Sequence, residues 1–320
     1  DAVLSYWVHP DGEAALRVAR LLSAPAIVMV GGSDVLLLAT GGRRRRIMKV
    51  MQSADAVVAV SRDLKEKIAA LAVAPEKLHV VPRGVDRDKF APGNRAEARG
   101  RLGLPVEGTL LVWVGRMVPV KGLNVLVDAC ALLRSRGVAF RLALVGDGPD
   151  RSKLESQCKA LGLSEAVTFV GAVGHAALPD WYRAADVTLL PSLSEGVPNV
   201  LRESLACGTP FVASHVGGIA EIAEEGMSRL VPPGDAEALA EAIEQISTND
   251  LGPGKQDSAP PQSGSWSESA EALLSIITPL VESSQNDEQP WWAGREPVRQ
   301  TPETRVSPWR PRQLLRRALS

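Results

Sequence analysis

A chain of 320 residues is long enough for two domains of ordinary size, each with its own core. Its 45% hydrophobic and 23% charged content is that of a globular protein, and a formal net charge of −1 argues against a dedicated nucleic-acid binder. Cys130, Cys158 and Cys207 lie far apart in apolar helical contexts without metal-ligand spacing, so buried reduced thiols and a cytoplasmic setting are expected, with no metal site. No apolar run approaches the ~20 residues needed to cross a bilayer, and no signal-peptide pattern opens the chain. The chain begins at Asp1, in the middle of what reads as a strand and without the Met of a native start, which suggests a fragment whose upstream part is missing.

In chain order, short β-branched runs alternate with helical patterns, the signature of βαβ units around a parallel sheet. The first block reads as strand Ala2 to Val8, helix Glu13 to Leu22, strand Ala26 to Val30, helix Arg43 to Ser53, strand Ala56 to Val60, helix Arg62 to Leu71 and strand Leu78 to Val81. Pro82-Arg83-Gly84-Val85-Asp86 then breaks the pattern and marks a hinge, followed by a polar segment to about Leu104.

The second block continues with strand Thr109 to Val114, helix Lys121 to Arg136, strand Arg141 to Val145, helix Arg151 to Leu161, strand Val167 to Val170 and helix Ala176 to Ala185. Strands Val187 to Leu190, Phe211 to Ala213 and Arg229 to Val231 follow, then helix Ala236 to Ile246. Gly115-Arg116, Gly146-Asp147-Gly148, Ser192 to Glu195 and Ser214 to Gly218 all come after strand carboxyl ends. In a parallel sheet they share the edge where open α/β folds bind ligands.

The most informative stretch on that edge is Glu195-Gly196-Val197-Pro198-Asn199-Val200-Leu201-Arg202-Glu203. Pro198 suits the first helical position, because its missing N–H would have no partner there. The amides of Asn199, Val200 and Leu201 then point out of the helix start, where they and the helix dipole hold a phosphate. Glu195 and Glu203 flank this cradle as hydroxyl acceptors. Arg116 and Lys121 bracket a turn facing the Glu195 loop and are placed to meet a diphosphate. Gly146-Asp147-Gly148 lacks the full dinucleotide glycine spacing and reads as a tight turn.

Leu111 to Ile246, with Val-Gly-Arg116 through Lys121-Gly122, Val145-Gly-Asp-Gly-Pro149, Leu193 to Asn199 and Gly208-Thr-Pro210, resembles the donor half of the retaining glycosyltransferase family 4 (group 1), which has the GT-B fold. The first block, with Ala54 to Val57, Ser61 and Val81-Pro-Arg-Gly-Val-Asp86, is similar to the second half of that family's acceptor domain. The resemblance implies two Rossmann-like parallel-sheet domains facing across a cleft, the first incomplete. The expected divisions are 1–86 (partial acceptor-side domain), 87–108 (connection), 109–247 (donor domain), 248–264 (linker), 265–283 (closing helix) and 284–320 (disordered basic tail).

It also implies roles. Arg116 and Lys121 hold the donor diphosphate; Glu203 binds the ribose hydroxyls; Glu195 faces the transferred sugar; Gly196, Pro198 and Asn199 to Leu201 supply the cradle. Val173 lies near the nucleobase. The implied activity moves a hexose from a UDP- or GDP-sugar to a glycan or lipid-linked acceptor with retained configuration, with no cofactor beyond the nucleotide-sugar substrate and no essential metal. Polysaccharide biosynthesis in the cytoplasm, at the inner face of the plasma membrane, fits such acceptors. Two other classes stay open. One is a nucleotide-sugar-binding protein, silent or epimerase-like; the other is an NAD-dependent oxidoreductase, for which the glycine fingerprint is incomplete.

The sequence departs from the family at Gly31-Gly32-Ser33-Asp34, where many members have His-Gly-(Ser/Thr)-Asp. Either backbone amides and Asp34 replace the histidine that touches the donor sugar, or the sugar differs, or activity is low. His9, in Tyr6-Trp7-Val8-His9-Pro10-Asp11-Gly12, is either a loop histidine in a Pro-Asp-Gly turn or a cleft residue serving the acceptor. Arg43 to Arg46 is either a solvated turn or a contact for anionic headgroups. Trp309 to Ser320 reads equally as an interfacial anchor, the start of a further domain or a disordered tail.

Overall fold

The computed structural model describes residues 1–32, 35, 42–248 and 264–286. Two all-parallel sheets organise residues 1–284, which form one compact unit. The first sheet has the order β1 (Val3–Ser5), β2 (Ala26–Val30), β3 (Ala56–Ala59), β4 (Leu78–Val80). Helices α1 (Glu13–Leu22), α2 (Gly42–Ser53) and α3 (Arg62–Ala69) connect them. Val28, Val30, Val57 and Ala59 are sealed beneath Leu16, Ile47, Met51 and Leu64. The other face carries Ile27, Ala56 and Val58. Strands buried on both faces need apolar residues at every position, which is why these runs do not alternate.

After α4 (Arg95–Arg101), the second sheet collects β5 (Leu110–Val114), β6 (Arg141–Val145), β7 (Val167–Gly171), β8 (Val187–Leu190), β9 (Phe211–Ser214) and β10 (Ser228–Val231) in the order β10-β9-β8-β5-β6-β7. Its helices are α5 (Leu123–Ser135), α6 (Arg151–Ala160), α7 (Leu178–Ala184), α8 (Asn199–Ala206) and α9 (Ala236–Thr248). The last helix, α10 (Trp266–Asn286), returns to the first sheet, where Ala272, Leu273, Ile276, Ile277 and Leu280 cover Ile27, Ala56, Val58 and Val81.

Most boundaries fall within two residues of the sequence reading, and the departures have local causes. β1 is shorter than Ala2 to Val8 because the chain turns at Ser5, whose hydroxyl donates to the Trp7 carbonyl (2.7 Å), and Val8–Gly12 coils into a wide helical turn. The polar connection contains α4, capped by the Asn94 side chain, which accepts from the Glu97 amide (3.1 Å). Its buried face joins Ala98, which sits in an apolar cluster, to the polar Arg99. Arg99 donates to the carbonyls of Ala184 (3.0 Å) and Gly108 (2.9 Å) and pairs with Asp186 at 2.7 Å. Asp186 in turn accepts from the Leu110 amide (2.6 Å), so one guanidinium–carboxylate pair ties α4, the end of α7 and the start of β5 together. Ser33 and Asp34, residues 249–263 of the expected linker (248–264) and the part of the expected tail (284–320) beyond residue 286 lie outside the described residues.

Arg99 is almost fully enclosed, with its side chain 2% exposed. Arg99→Met should cost about 3 kcal/mol in urea unfolding, because it leaves Asp186 short of its principal counter-ion. Burial pushes the Cys158 thiol up to about 11, with the Glu155 charge adding, and the Cys207 thiol up to about 12; Cys130 moves in the same direction. The three free, buried thiols should therefore resist a disulfide reagent at pH 8 and react together once denaturant unfolds the chain.

Candidate functional site

The carboxyl ends of both sheets carry the loops singled out from the sequence. β8 ends at Leu190, and Pro191 to Pro198 leads into α8. Pro198 is extended (φ −75°, ψ 122°), so it stands one position before the helix and Asn199 is the first helical residue, a correction of one place. With no side chain capping this start, the amides of Asn199, Val200 and Leu201 occupy the turn whose N–H groups lack intrahelical acceptors.

Lys121 and Glu195 come together. Lys121 Nζ donates to Glu195 Oε1 at 2.6 Å, and the Ser192 hydroxyl donates to the same oxygen at 2.6 Å. Both charged side chains are largely enclosed, with 23% and 11% exposure, so solvent screens the pair only partly. Lys121 is presented by a short 3₁₀ turn, Pro119–Lys121, which ends in the left-handed Gly122 (φ +64°). A Cβ on Gly122 would sit 2.0 Å from the Pro191 carbonyl oxygen, so only glycine lets this turn lie against the β8 loop. Arg116 stands exposed at the end of β5. Its loop is fixed by the Met117 amide, which donates to the Asp147 carbonyl (2.8 Å), and Gly148 packs directly on Met117. Gly146-Asp147-Gly148 thus serves a close approach of two strand-end loops.

Glu203, one turn inside α8 and 8% exposed, is held by groups that the sequence reading did not find. The Tyr182 hydroxyl donates to its Oε2 (2.9 Å), and His175 Nε2 lies 3.2 Å from its Oε1. Lys89 Nζ sits 3.3 Å from the other imidazole nitrogen, and Phe90 meets the ring edge-on at 5.1 Å. Burial, and then the Glu203 charge, raise the Tyr182 phenol well above its ordinary value, so it acts as a donor. Val173, two residues before His175, is half-buried against the apolar cluster of Phe90 and Tyr182.

The opposing wall is formed by the ends of β1, β2 and β4. Gly31 and Gly32 follow β2 and lie against Gly196: a Cβ on Gly196 would stand 2.5 Å from the Gly31 carbonyl oxygen. Ser33 and Asp34, expected beside them, are outside the described residues. His9 is turned toward its own helix, with Nδ1 3.6 Å from Glu13 Oε2, too long for a hydrogen bond, and that nitrogen has no hydrogen-bond partner. The Glu221 carboxylate spans the sheets by accepting from the Arg62 and Asp63 amides (2.9 Å each) at the start of α3. Among the described residues no group of three or more His, Cys, Asp or Glu is placed to hold a metal ion.

The family model of the Glycosyl transferases group 1 matches residues 108–249, and that of Glycosyltransferase Family 4 matches residues 1–89. The chain is 36% identical over 245 residues to the D-inositol 3-phosphate glycosyltransferase of Saccharomonospora viridis, covering 71% of this chain and 56% of that protein. It is 35% identical over 265 residues to the enzyme of the same name from Frankia alni, covering 75% and 64%. The chain spans between about half and two thirds of the curated relatives it matches. A glycosyltransferase from Rickettsia africae superposes with a TM-score of 0.75 at 20% identity, over 88% of this chain and 77% of that one. Anabaena HepE, solved with UDP, superposes at 0.70 and 22% identity, over 89% and 79%. These two share the architecture of facing parallel sheets, the GT-B fold. The two matched segments, which together span most of the chain, lead to one assignment: the chain belongs to the family 4, group 1 glycosyltransferases.

Proposed function

We propose that this chain transfers a hexose from a nucleotide-sugar donor to a glycan or lipid-linked acceptor with retention of configuration. The observation that carries the reading is the convergence of Lys121, Glu195 and the uncapped α8 start opposite the Gly31–Gly32 wall. A leaving nucleoside diphosphate needs its developing charge met by fixed positive groups. Lys121, the exposed Arg116 and the α8 amides supply these without rearrangement of the backbone. The Lys121–Glu195 pair holds the ammonium ready, and a bound diphosphate replaces part of the Glu195 contact. Glu203, locked by Tyr182 and His175, accepts from the ribose hydroxyls. Val173 flanks the base. HepE, whose fold this chain shares, has been solved with UDP and with UDP-glucose, which supports a UDP-sugar among the donors to test first. Names of the relatives make a polyol phosphate one acceptor to try.

Binding without transfer is the second reading, favoured by Gly31, which offers the sugar no side chain. Calorimetric titration with UDP- and GDP-sugars followed by a turnover assay separates the two: nucleotide binding with neither transfer nor hydrolysis supports the silent protein. Tyr182→Phe should weaken UDP binding about tenfold by removing a donor to the enclosed Glu203, and Glu203→Ala should do so further. Lys121→Ala should lower turnover more than donor affinity, and equal effects on both would refute its leaving-group role. An unchanged affinity in both Tyr182→Phe and Glu203→Ala would remove Glu203 from the nucleotide site.

A lipid-linked acceptor would bring the first sheet to the cytoplasmic face of a membrane. Arg43 to Arg46 are all exposed in the first turn of α2, where cations oppose the helix dipole and so do nothing for the helix itself. Arg46 shares a surface cavity with Arg17, Arg20 and Lys49. Replacing Arg43 to Arg46 with Gln should abolish most pelleting with anionic vesicles, each charge being worth about 1 kcal/mol; unchanged pelleting would exclude this surface.

A further inference from the structure

Three strand ends of the first sheet converge beside the Glu195 loop. Tyr6 follows β1, Gly31 follows β2 and Arg83 comes three residues after β4, and the side chain of Arg83 links all three segments. Its guanidinium carbon stands 5.1 Å from the centre of the Tyr6 ring, a cation–π contact that holds the plane of the fork. Its Nη2 lies 2.8 Å from the point that a Cβ on residue 31 would occupy. The space next to the Gly31 backbone is therefore filled by a guanidinium arriving from the segment after β4. Gly31 in turn touches Gly196, the residue after Glu195.

A second arginine lies close to the first. Arg202 is only 4% exposed, and both its Nε and Nη1 are buried without a hydrogen-bond partner; Nε of Arg83 is in the same condition. Among the described residues neither forms an ion pair. Burial, and next the Arg83 charge, lower the Arg202 guanidinium, with Glu221 opposing. Arg202 also lines a cavity of about 530 Å³ shared with Val60, Pro82, Val197 and Glu221. Buried N–H groups on a cation are costly to leave unmatched, and two like charges side by side add to the cost. An arrangement of this kind is stable where an anion with several oxygen acceptors completes it, and the fork of arginine suits carboxylate and phosphate geometry.

We infer that Arg83, steadied by Tyr6 and backed by Arg202, recognises a carboxylate or phosphate carried by a substrate of this chain, at the guanidinium that occupies the space beside Gly31. The inference rests on the nucleotide-sugar reading above and names the substrate class: an acidic donor sugar or a phosphorylated acceptor. Arg83 is the contact residue. Tyr6 acts through it, and Arg202 sets the positive potential behind it.

Calorimetry on the full chain distinguishes the sources. UDP-glucuronate against UDP-glucose tests an anion on the donor; glucose 6-phosphate against glucose, with and without saturating UDP, tests one on the acceptor. In at least one pair the anionic member should bind ten or more times tighter. That advantage should fall below threefold in Arg83→Gln and return in part in Arg83→Lys, with an unchanged thermal midpoint. Tyr6→Leu, at a half-exposed position, should reduce it about threefold and serves as the second variant if Arg83→Gln fails to fold. Equal binding within both pairs, or an advantage that survives Arg83→Gln, overturns the inference. Failure of UDP itself to bind refutes the nucleotide reading instead, and the glucose 6-phosphate pair measured without UDP then decides the role of Arg83.

Discussion

Backbone packed against backbone is the constraint on which the site depends. At Gly122 the turn bearing Lys121 lies on the Pro191 carbonyl, and at Gly217 (φ +56°) the loop after β9 lies on the Glu195 carbonyl, with no room for a Cβ in either place. Gly196 meets Gly31 in the same way. A loop held by its neighbours' main chains has few conformations to lose. Main-chain contacts and the Lys121–Glu195–Ser192 hydrogen bonds together set Lys121, Glu195 and the start of α8 at fixed separations, the condition under which fixed charges are most effective.

The two carboxylates of the opening motif are therefore held in different ways. Glu195 is satisfied by an ammonium and a hydroxyl from its own edge of the sheet. Glu203 is held from a different layer, by Tyr182 on α7 and His175 just before it, with Lys89, from the segment after β4, against the far nitrogen of His175. The first contact is a charge pair that a competing anion can replace. The second is mostly buried hydrogen bonding, which keeps a carboxylate aimed and costly to move. One motif thus combines an exchangeable contact with a permanent one.

Strand positions were legible because strands covered on both faces are continuous apolar runs: Ala26–Val30, Arg141–Val145 and Val187–Leu190 fall where the sequence places them. α4 escaped because its seven residues include three arginines and a glycine, and its anchor is the buried polar Arg99 rather than an apolar stripe. The segment Ser214 to Gly218 is legible only as a strand-end loop, and its end runs into a 3₁₀ segment, Gly217–Ile222. At the site, the Glu195 loop and Lys121 could be brought together from strand ends alone, since topology fixes a shared edge. Nothing local in the sequence directs Tyr182 or His175 toward Glu203, or Arg83 toward the space over Gly31. Those contacts are set by the angle between layers.

Helix α10 lies on strands made more than two hundred residues earlier, with Leu280 against Ile27 and Val58. One face of the first sheet therefore stays uncovered during synthesis until this helix emerges, which leaves a sticky surface on the nascent chain and places a long-range contact late in folding. The same return gives the chain a second crossing between the sheets, at Val85 and Ser265, beside the first. Two parallel tethers permit bending about the line that joins them and resist twisting. Any opening of the cleft should follow that line, carrying Arg83 and Gly31 away from Gly196 while leaving Lys121, Glu195 and Glu203 undisturbed.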